Sequence, residues 1–208
     1  MRFSEEVSPK AIKRVIQEAT KEAPHLIHAR TLVITIIVLA AAALRIAPHP
    51  MNFAPIGAIA LFGGAYFSSK RAALIVLLLS LVAGDIFIGF HRLVPYVYAS
   101  FLVSVAIGFW LRAKKSTPRI GLAALAGAIQ FFLVTNFAVW ITSTGSYPKT
   151  AAGLTVCYIA GIPFFWNTLA SDAIYTALLF GGMALAERRF PSIREPLAVQ
   201  VDQEFTPV

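Results

Sequence analysis

Short clusters of Lys and Arg divide this chain into apolar runs, most of them long enough to cross a lipid bilayer. A spanning helix needs about 20 apolar residues, because the hydrocarbon core is about 30 Å thick and a helix rises about 1.5 Å per residue. The runs are read at 31–47, 53–68, 71–90, 93–111, 119–142 and 164–186. Composition agrees: 58% of residues are hydrophobic, only 13% are charged, and the mean hydropathy is +0.73. Soluble domains carry about 25% charge, so a chain this apolar has too few polar groups to cover its surface in water. The expected fold class is an all-α membrane protein with six transmembrane helices.

Three segments qualify that map. Residues 1–30 are polar, and Ser8-Pro9 has the form of an N-cap followed by proline at the first helical position. Ile12, Val15, Ile16 and Ala19 follow at helical spacing until Pro24, which predicts a short amphipathic helix lying on the membrane surface. No cleavable signal peptide is evident, so the first apolar run is expected to remain as an anchor. The second run is short and holds Pro55, Gly57, Gly63 and Gly64, so it is expected to be tilted, or broken where it lines a cavity. Residues 149–163 are apolar but interrupted by Gly153, Gly161 and Pro163, which predicts a re-entrant or capping segment ahead of the last span. The six-helix domain then covers 31–187, and 188–208 form a polar tail with Pro191, Pro196 and Pro207, expected to be disordered.

Loop charge sets the orientation. Lys and Arg favour the cytoplasmic side. The N-terminal segment carries Arg2, Lys10, Lys13, Arg14, Lys21 and Arg30. The 2–3 loop carries Lys70 and Arg71, the 4–5 loop Arg112, Lys114, Lys115 and Arg119, and the C-terminal end Arg188, Arg189 and Arg194. Of the 18 basic residues only Arg45, Arg92 and Lys149 fall on the other side. Six spans with both termini in the cytoplasm produce this split. The same clustering accounts for the net charge of +8 and argues against a nucleic-acid partner, which would require a basic face or stripe. The single cysteine, Cys157, excludes an internal disulfide and any Cys-rich metal site.

With orientation set, the depth of each polar residue can be read. A charged group within a span costs about 2.5–3.5 kcal/mol on insertion scales, so it faces protein or water. Arg45, Asn52, Phe53, Asp85, His91, Arg92, Tyr96, Asn136, Trp140, Trp166, Asn167 and Asp172 all fall in the outer half or at its rim, with Gln130 nearer the middle. That shared depth predicts an outward-facing pocket with two carboxylates, guanidinium groups, amides and aromatic walls, the composition of a small-molecule site. No metal or cofactor is expected. Each residue also has a reading that serves the fold alone. Asp85 pairs with Arg45 or Arg92 to lock helices together. Asp172 caps a helix starting at Ser171-Asp172. Tyr96, Tyr98, Trp140 and Trp166 form an interfacial belt. Asn136 bonds to a neighbouring helix, His49 and His91 are solvated, and Cys157 is a small buried hydrophobe.

The run from Pro48 to Phe67, with Ser80-Leu81-Val82-Ala83-Gly84-Asp85, Tyr98-Ala99-Ser100-Phe101 and Trp166-Asn167-Thr168-Leu169-Ala170-Ser171-Asp172, resembles the signature of a bacterial integral membrane family of unknown function, DUF6580, over roughly 30–187. At superfamily level the pattern is similar to the substrate-binding S component of energy-coupling factor (ECF) vitamin transporters. That resemblance implies a multi-pass protein of the bacterial cytoplasmic (inner) membrane. It also implies capture of a vitamin or similar solute outside the cell, and docking on ECF transmembrane and ATPase subunits or solitary uptake. The chain departs from the pattern in two places. Its small residues at four-residue spacing, Ala43 and Ala47, lie at the outer end of the first span, and no cysteine in the first four spans is available to ligate cobalt.

Two other classes compete with solute uptake. A membrane scaffold or partner subunit of a cell-envelope complex would need helix interfaces but no pocket. An intramembrane aspartyl enzyme would pair two aspartates, but its Gly-x-Gly-Asp and Tyr-Asp motifs are replaced here by Val82-Ala83-Gly84-Asp85 and Ser171-Asp172. Gly63-Gly64 lacks the Lys-Ser/Thr of a phosphate loop, so any ATP-driven step belongs to another protein.

Overall fold

A computed structural model describes residues 29–45 and 47–195. The predicted amphipathic helix and the tail beyond Glu195 lie outside the described residues. Among the described residues six α-helices follow in order: α1 Ala29–Ala43, α2 Ile56–Tyr66, α3 Lys70–Ile88, α4 Val94–Leu111, α5 Thr117–Thr142 and α6 Ala151–Arg189. A 3-10 turn at Pro191–Ile193 closes the described chain, and no strand occurs among the described residues. Four helices, α3 to α6, are long and apolar enough to cross a membrane; α1 and α2 are shorter.

Local chemistry sets the helix boundaries. Ser69 Oγ accepts from the Ala72 N–H (3.3 Å) to start α3, and Gly89, at φ 99°, ends it. Pro95 and Pro118 stand in the first turns of α4 and α5, where a missing N–H costs nothing. Thr150 Oγ1 accepts from the Gly153 N–H (3.2 Å) to start α6.

That last cap corrects the expectation for 149–163. The segment is not re-entrant: it is the first third of one continuous 39-residue helix, with Pro163 inside it. Gly153 and Gly161 are sites of close approach, not breaks. A Cβ on Gly153 would run into the Pro148 peptide, and one on Gly161 into the Asn136 side chain. The second run is likewise helical only from Ile56 to Tyr66, because residues 50–55 remain non-helical.

The bundle is built around α2. Ten of its 11 residues are buried, whereas the other helices present large side chains outward, among them Leu79, Leu122, Leu178 and Leu185 at about 60% exposure or more. Such an apolar exterior is what a surface facing lipid or a partner protein presents. Ile34 and Val38 of α1, Leu77 and Leu81 of α3, Val105 of α4 and Phe180 of α6 share its core. Phe62 meets Phe180 edge-on, centroids 5.5 Å apart. The tightest crossing is between α2 and α4, where glycine faces glycine: a Cβ on Gly64 would lie 2.9 Å from the Gly108 Cα, and the reverse also holds. Small residues at a crossing let backbones touch, which in lipid replaces the missing hydrophobic drive.

Polar contacts gather at the two ends of the bundle. At one, fully buried Arg30 pairs with Glu187 (2.7 Å) and donates to the Ile193 carbonyl (2.6 Å). Nearby, Arg112 donates to the Gly64 (2.8 Å) and Phe67 (2.7 Å) carbonyls, and Lys115 pairs with Glu195 (3.2 Å). Residues up to Glu195 in the predicted tail are therefore tied to the bundle. At the other end Arg45, Asp85 and Tyr98 meet, and Asn167 donates to the Met51 carbonyl (2.9 Å).

The α2–α4 crossing yields a direct test. Gly108→Ala places a methyl group against the α2 backbone and should destabilise the protein by about 1–3 kcal/mol through overpacking. Gly181→Ala, with nothing within 4 Å, should be neutral or slightly stabilising. Thermal unfolding of both variants in the same detergent measures the difference.

Candidate functional site

A cavity of about 510 Å³ opens between Arg45, the non-helical 47–55 segment, the start of α2 and the facing sides of α4, α5 and α6. Its rim carries the exposed residues His49, Asn52 and His91. Its deep parts carry buried Ser104, Thr168 and Asp172. The walls between are apolar and aromatic, with Phe101 stacked on Phe131 at 5.0 Å and Val139 and Phe164 alongside.

Arg45 enters the lining from the end of α1 and is held from behind. Its Nη2 pairs with Asp85 Oδ1 (2.5 Å), and its Nη1 donates to the Leu81 carbonyl (3.2 Å). The second Asp85 oxygen accepts from the Tyr98 hydroxyl (2.7 Å). Gly84 makes the arrangement possible, since a Cβ there would lie 2.8 Å from Arg45 Nη1. The run Gly84-Asp85 thus serves one guanidinium: the glycine clears its path and the aspartate anchors it. Asp85 is 1% exposed and does not itself line the cavity.

Asp172 sits in the middle of α6 and does not cap its own helix. Its carboxylate lies against the first turn of α2, where a Cβ on Gly57 would fall 2.9 Å from its Cγ. Pro55 at the α2 N-cap supplies no side-chain bond. Asp172 therefore supplies from another helix the negative charge that a helix N-terminus attracts. Deeper still, Gln130 of α5 clamps α4: it accepts from Ser100 Oγ (2.9 Å) and donates to Ser104 Oγ (3.0 Å).

Of the residues predicted for the site, Arg45, Asn52, His91, Asn136 and Asp172 line the cavity. The others do not. Phe53 packs edge-on against Tyr175 at 6.1 Å. Asn167 pins the 47–55 segment through the Met51 carbonyl. Trp140 Nε1 donates to the Pro148 carbonyl (2.9 Å), Trp166 is 61% exposed, and Arg92 and Tyr96 are exposed. Depth along a span fixes a residue's height but not which side of the helix it occupies. The helical period supplies that second coordinate. Extending it from Asp172 reaches Thr168, Phe164, Gly161 and Cys157, and from Asn136 it reaches Val139, all cavity residues that depth alone misses. Among the described residues no three potential metal ligands come together.

The anchor behind Arg45 generates a graded expectation. Asp85→Asn leaves a largely buried guanidinium without its counter-charge and should cost about 3–5 kcal/mol. Tyr98→Phe removes one hydrogen bond and should cost about 1 kcal/mol. Unfolding midpoints in nanodiscs should rank wild type, Tyr98→Phe and Asp85→Asn in that order.

In comparisons with known proteins, the model of a Family of unknown function (DUF6580) matches residues 25–193. No curated protein and no solved structure matches the chain.

Proposed function

The chain belongs to the DUF6580 family, and we propose that it is a membrane solute-binding protein that captures a small organic molecule in the cavity for uptake. The observation that carries this reading is the cavity. Its 510 Å³ lies within the range of about 300–1,000 Å³ typical of small-molecule sites, and its walls are apolar with a few converging polar groups. A scaffold subunit would fill that space with side chains. In this reading the protein is not an enzyme. Asp85 is engaged by Arg45 and Tyr98, and Asp172 by the start of α2, so neither carboxylate has the other as a partner.

The reading includes a topology. α1 and α2 complete six passes in a bacterial cytoplasmic membrane, with both termini inside. α2 can be short because protein encloses it on all sides, and non-helical backbone at 50–55 is tolerable because it faces the cavity. The basic pole formed by Arg30, Arg112 and Lys115 is then cytoplasmic, and the cavity opens outward. An ECF-type transmembrane subunit with its ATPases, or solitary uptake, would supply the transport step.

A cavity-filling variant tests the capture step. Gly127 lines the cavity, and a Cβ there meets only Ser104 Oγ, at 3.7 Å. Gly127→Leu should therefore fold, occupy the cavity and abolish the thermal shift produced by any ligand found in a vitamin and metabolite screen in nanodiscs. A ligand that stabilises Gly127→Leu as much as wild type binds elsewhere and removes the basis for the proposal.

A further inference from the structure

The cavity's charges are arranged unequally, and this bears on what it holds. The inference rests on the reading of the cavity as a ligand site. Arg45 brings a positive charge to the lining, but Asp85 neutralises it at 2.5 Å and the Leu81 carbonyl takes a further N–H. Asp172 brings a negative charge that no cation answers: among the described residues no Lys, Arg or His forms an ion pair with it. Its side chain is also buried, the residue being 4% exposed. Its oxygens lie against Gly57 at the start of α2, and a carboxylate has about four acceptor sites to fill. Burying an ionised carboxylate without a counter-charge is costly, so a cation delivered there gains what the protein leaves unprovided. The surrounding surface suits a cation on an apolar body. Phe101, Phe131 and Phe164 contribute aromatic rings to the lining, and Val97 and Val139 contribute branched apolar side chains.

We infer that Asp172 makes this cavity selective for organic cations, amines with an aromatic or branched apolar body, over anions of the same shape. The ammonium group sits at Asp172, and the body lies against the α4–α5 aromatic wall. The free N–H groups of Arg45 and the rim residue His91 remain available to a neutral acceptor elsewhere on the ligand.

A reporter cysteine reads this selectivity directly, whatever the natural ligand is. Thr135 lines the cavity, so Thr135→Cys in a Cys157→Ser background places one thiol there. The full chain in nanodiscs is treated with three methanethiosulfonates: a neutral methyl reagent, a cationic trimethylammonium-ethyl reagent and an anionic sulfonatoethyl reagent. Each rate is normalised to that of the same reagent with a free thiol. The cationic reagent should react about tenfold faster or more than the anionic one, since a cleft of one charge sign concentrates counter-ions by that order. Asp172→Asn should bring the ratio close to one. Asp172 also supports α2, so a second readout uses the intact aspartate: tryptamine should protect the thiol, while tryptophol protects weakly and indole-3-acetate does not.

The possible failures separate. If the neutral reagent modifies the thiol but charge makes no difference, or indole-3-acetate protects best, the cation assignment is overturned while the cavity reading stands. If no reagent reaches the thiol, the cavity is closed and both fall.

Discussion

An 11-residue apolar helix cannot stand in the middle of a bundle unless its two ends are satisfied. α2 brings few means of its own: its N-cap is a proline without a side-chain acceptor, and its last turn holds no basic residue. Other helices supply both ends. Asp172 of α6 lies at the N-terminus, and Arg112, just beyond α4, donates to the carbonyls of Gly64 and Phe67. Acid at the start and base at the end is the arrangement that a helix dipole favours, and away from water each unmade bond would cost several kcal/mol. The two charges therefore fix the position of α2 along the bundle, and the glycine-to-glycine crossing with α4 fixes its distance.

Cavity and fold share these parts. α2 stops at Ile56, so residues 50–55 are left to shape one side of the cavity instead of filling it. Asp172 serves twice, lying against the start of α2 with its carboxylate and forming part of the cavity lining. Arg45 is handled in the opposite way: Asp85, Tyr98 and the Leu81 carbonyl hold it in place before any solute arrives. A group oriented beforehand does not have to be ordered if a ligand binds, which under the proposed reading lowers the cost of capture.

Much of this is legible in the sequence, and the exceptions share a cause. α3, α4 and α5 lie within about three residues of their predicted spans because Ser69, Gly89, Pro95 and Ser116-Thr117-Pro118 punctuate the chain at those points. Residues 149–163 mislead because glycine and proline mark helix ends in water, whereas here Gly161 accommodates Asn136 and Pro163 is carried inside α6. The site divides in the same way. Depth finds Arg45, Asn52, His91, Asn136 and Asp172, since buried polarity needs a reason wherever it occurs. Trp140 and Trp166 share that depth but face elsewhere, because an indole at an interface is satisfied without a cavity. Asp85, predicted for the site, does not line the cavity but anchors Arg45, which does, a distinction that only the placement of Arg45 reveals.

The length of α6 carries a mechanical consequence. At about 1.5 Å per residue its 39 residues trace about 58 Å along the helix, nearly twice the hydrocarbon thickness of about 30 Å. Asp172 on the cavity and Glu187 in the Arg30 ion pair both lie beyond Pro163, on one stretch of this helix that no proline interrupts. A tilt at one of these points is therefore transmitted to the other. Whatever fills the recess and nudges α6 would shift the charged cluster on the far face through the helix itself, with no chain of intermediate side chains required.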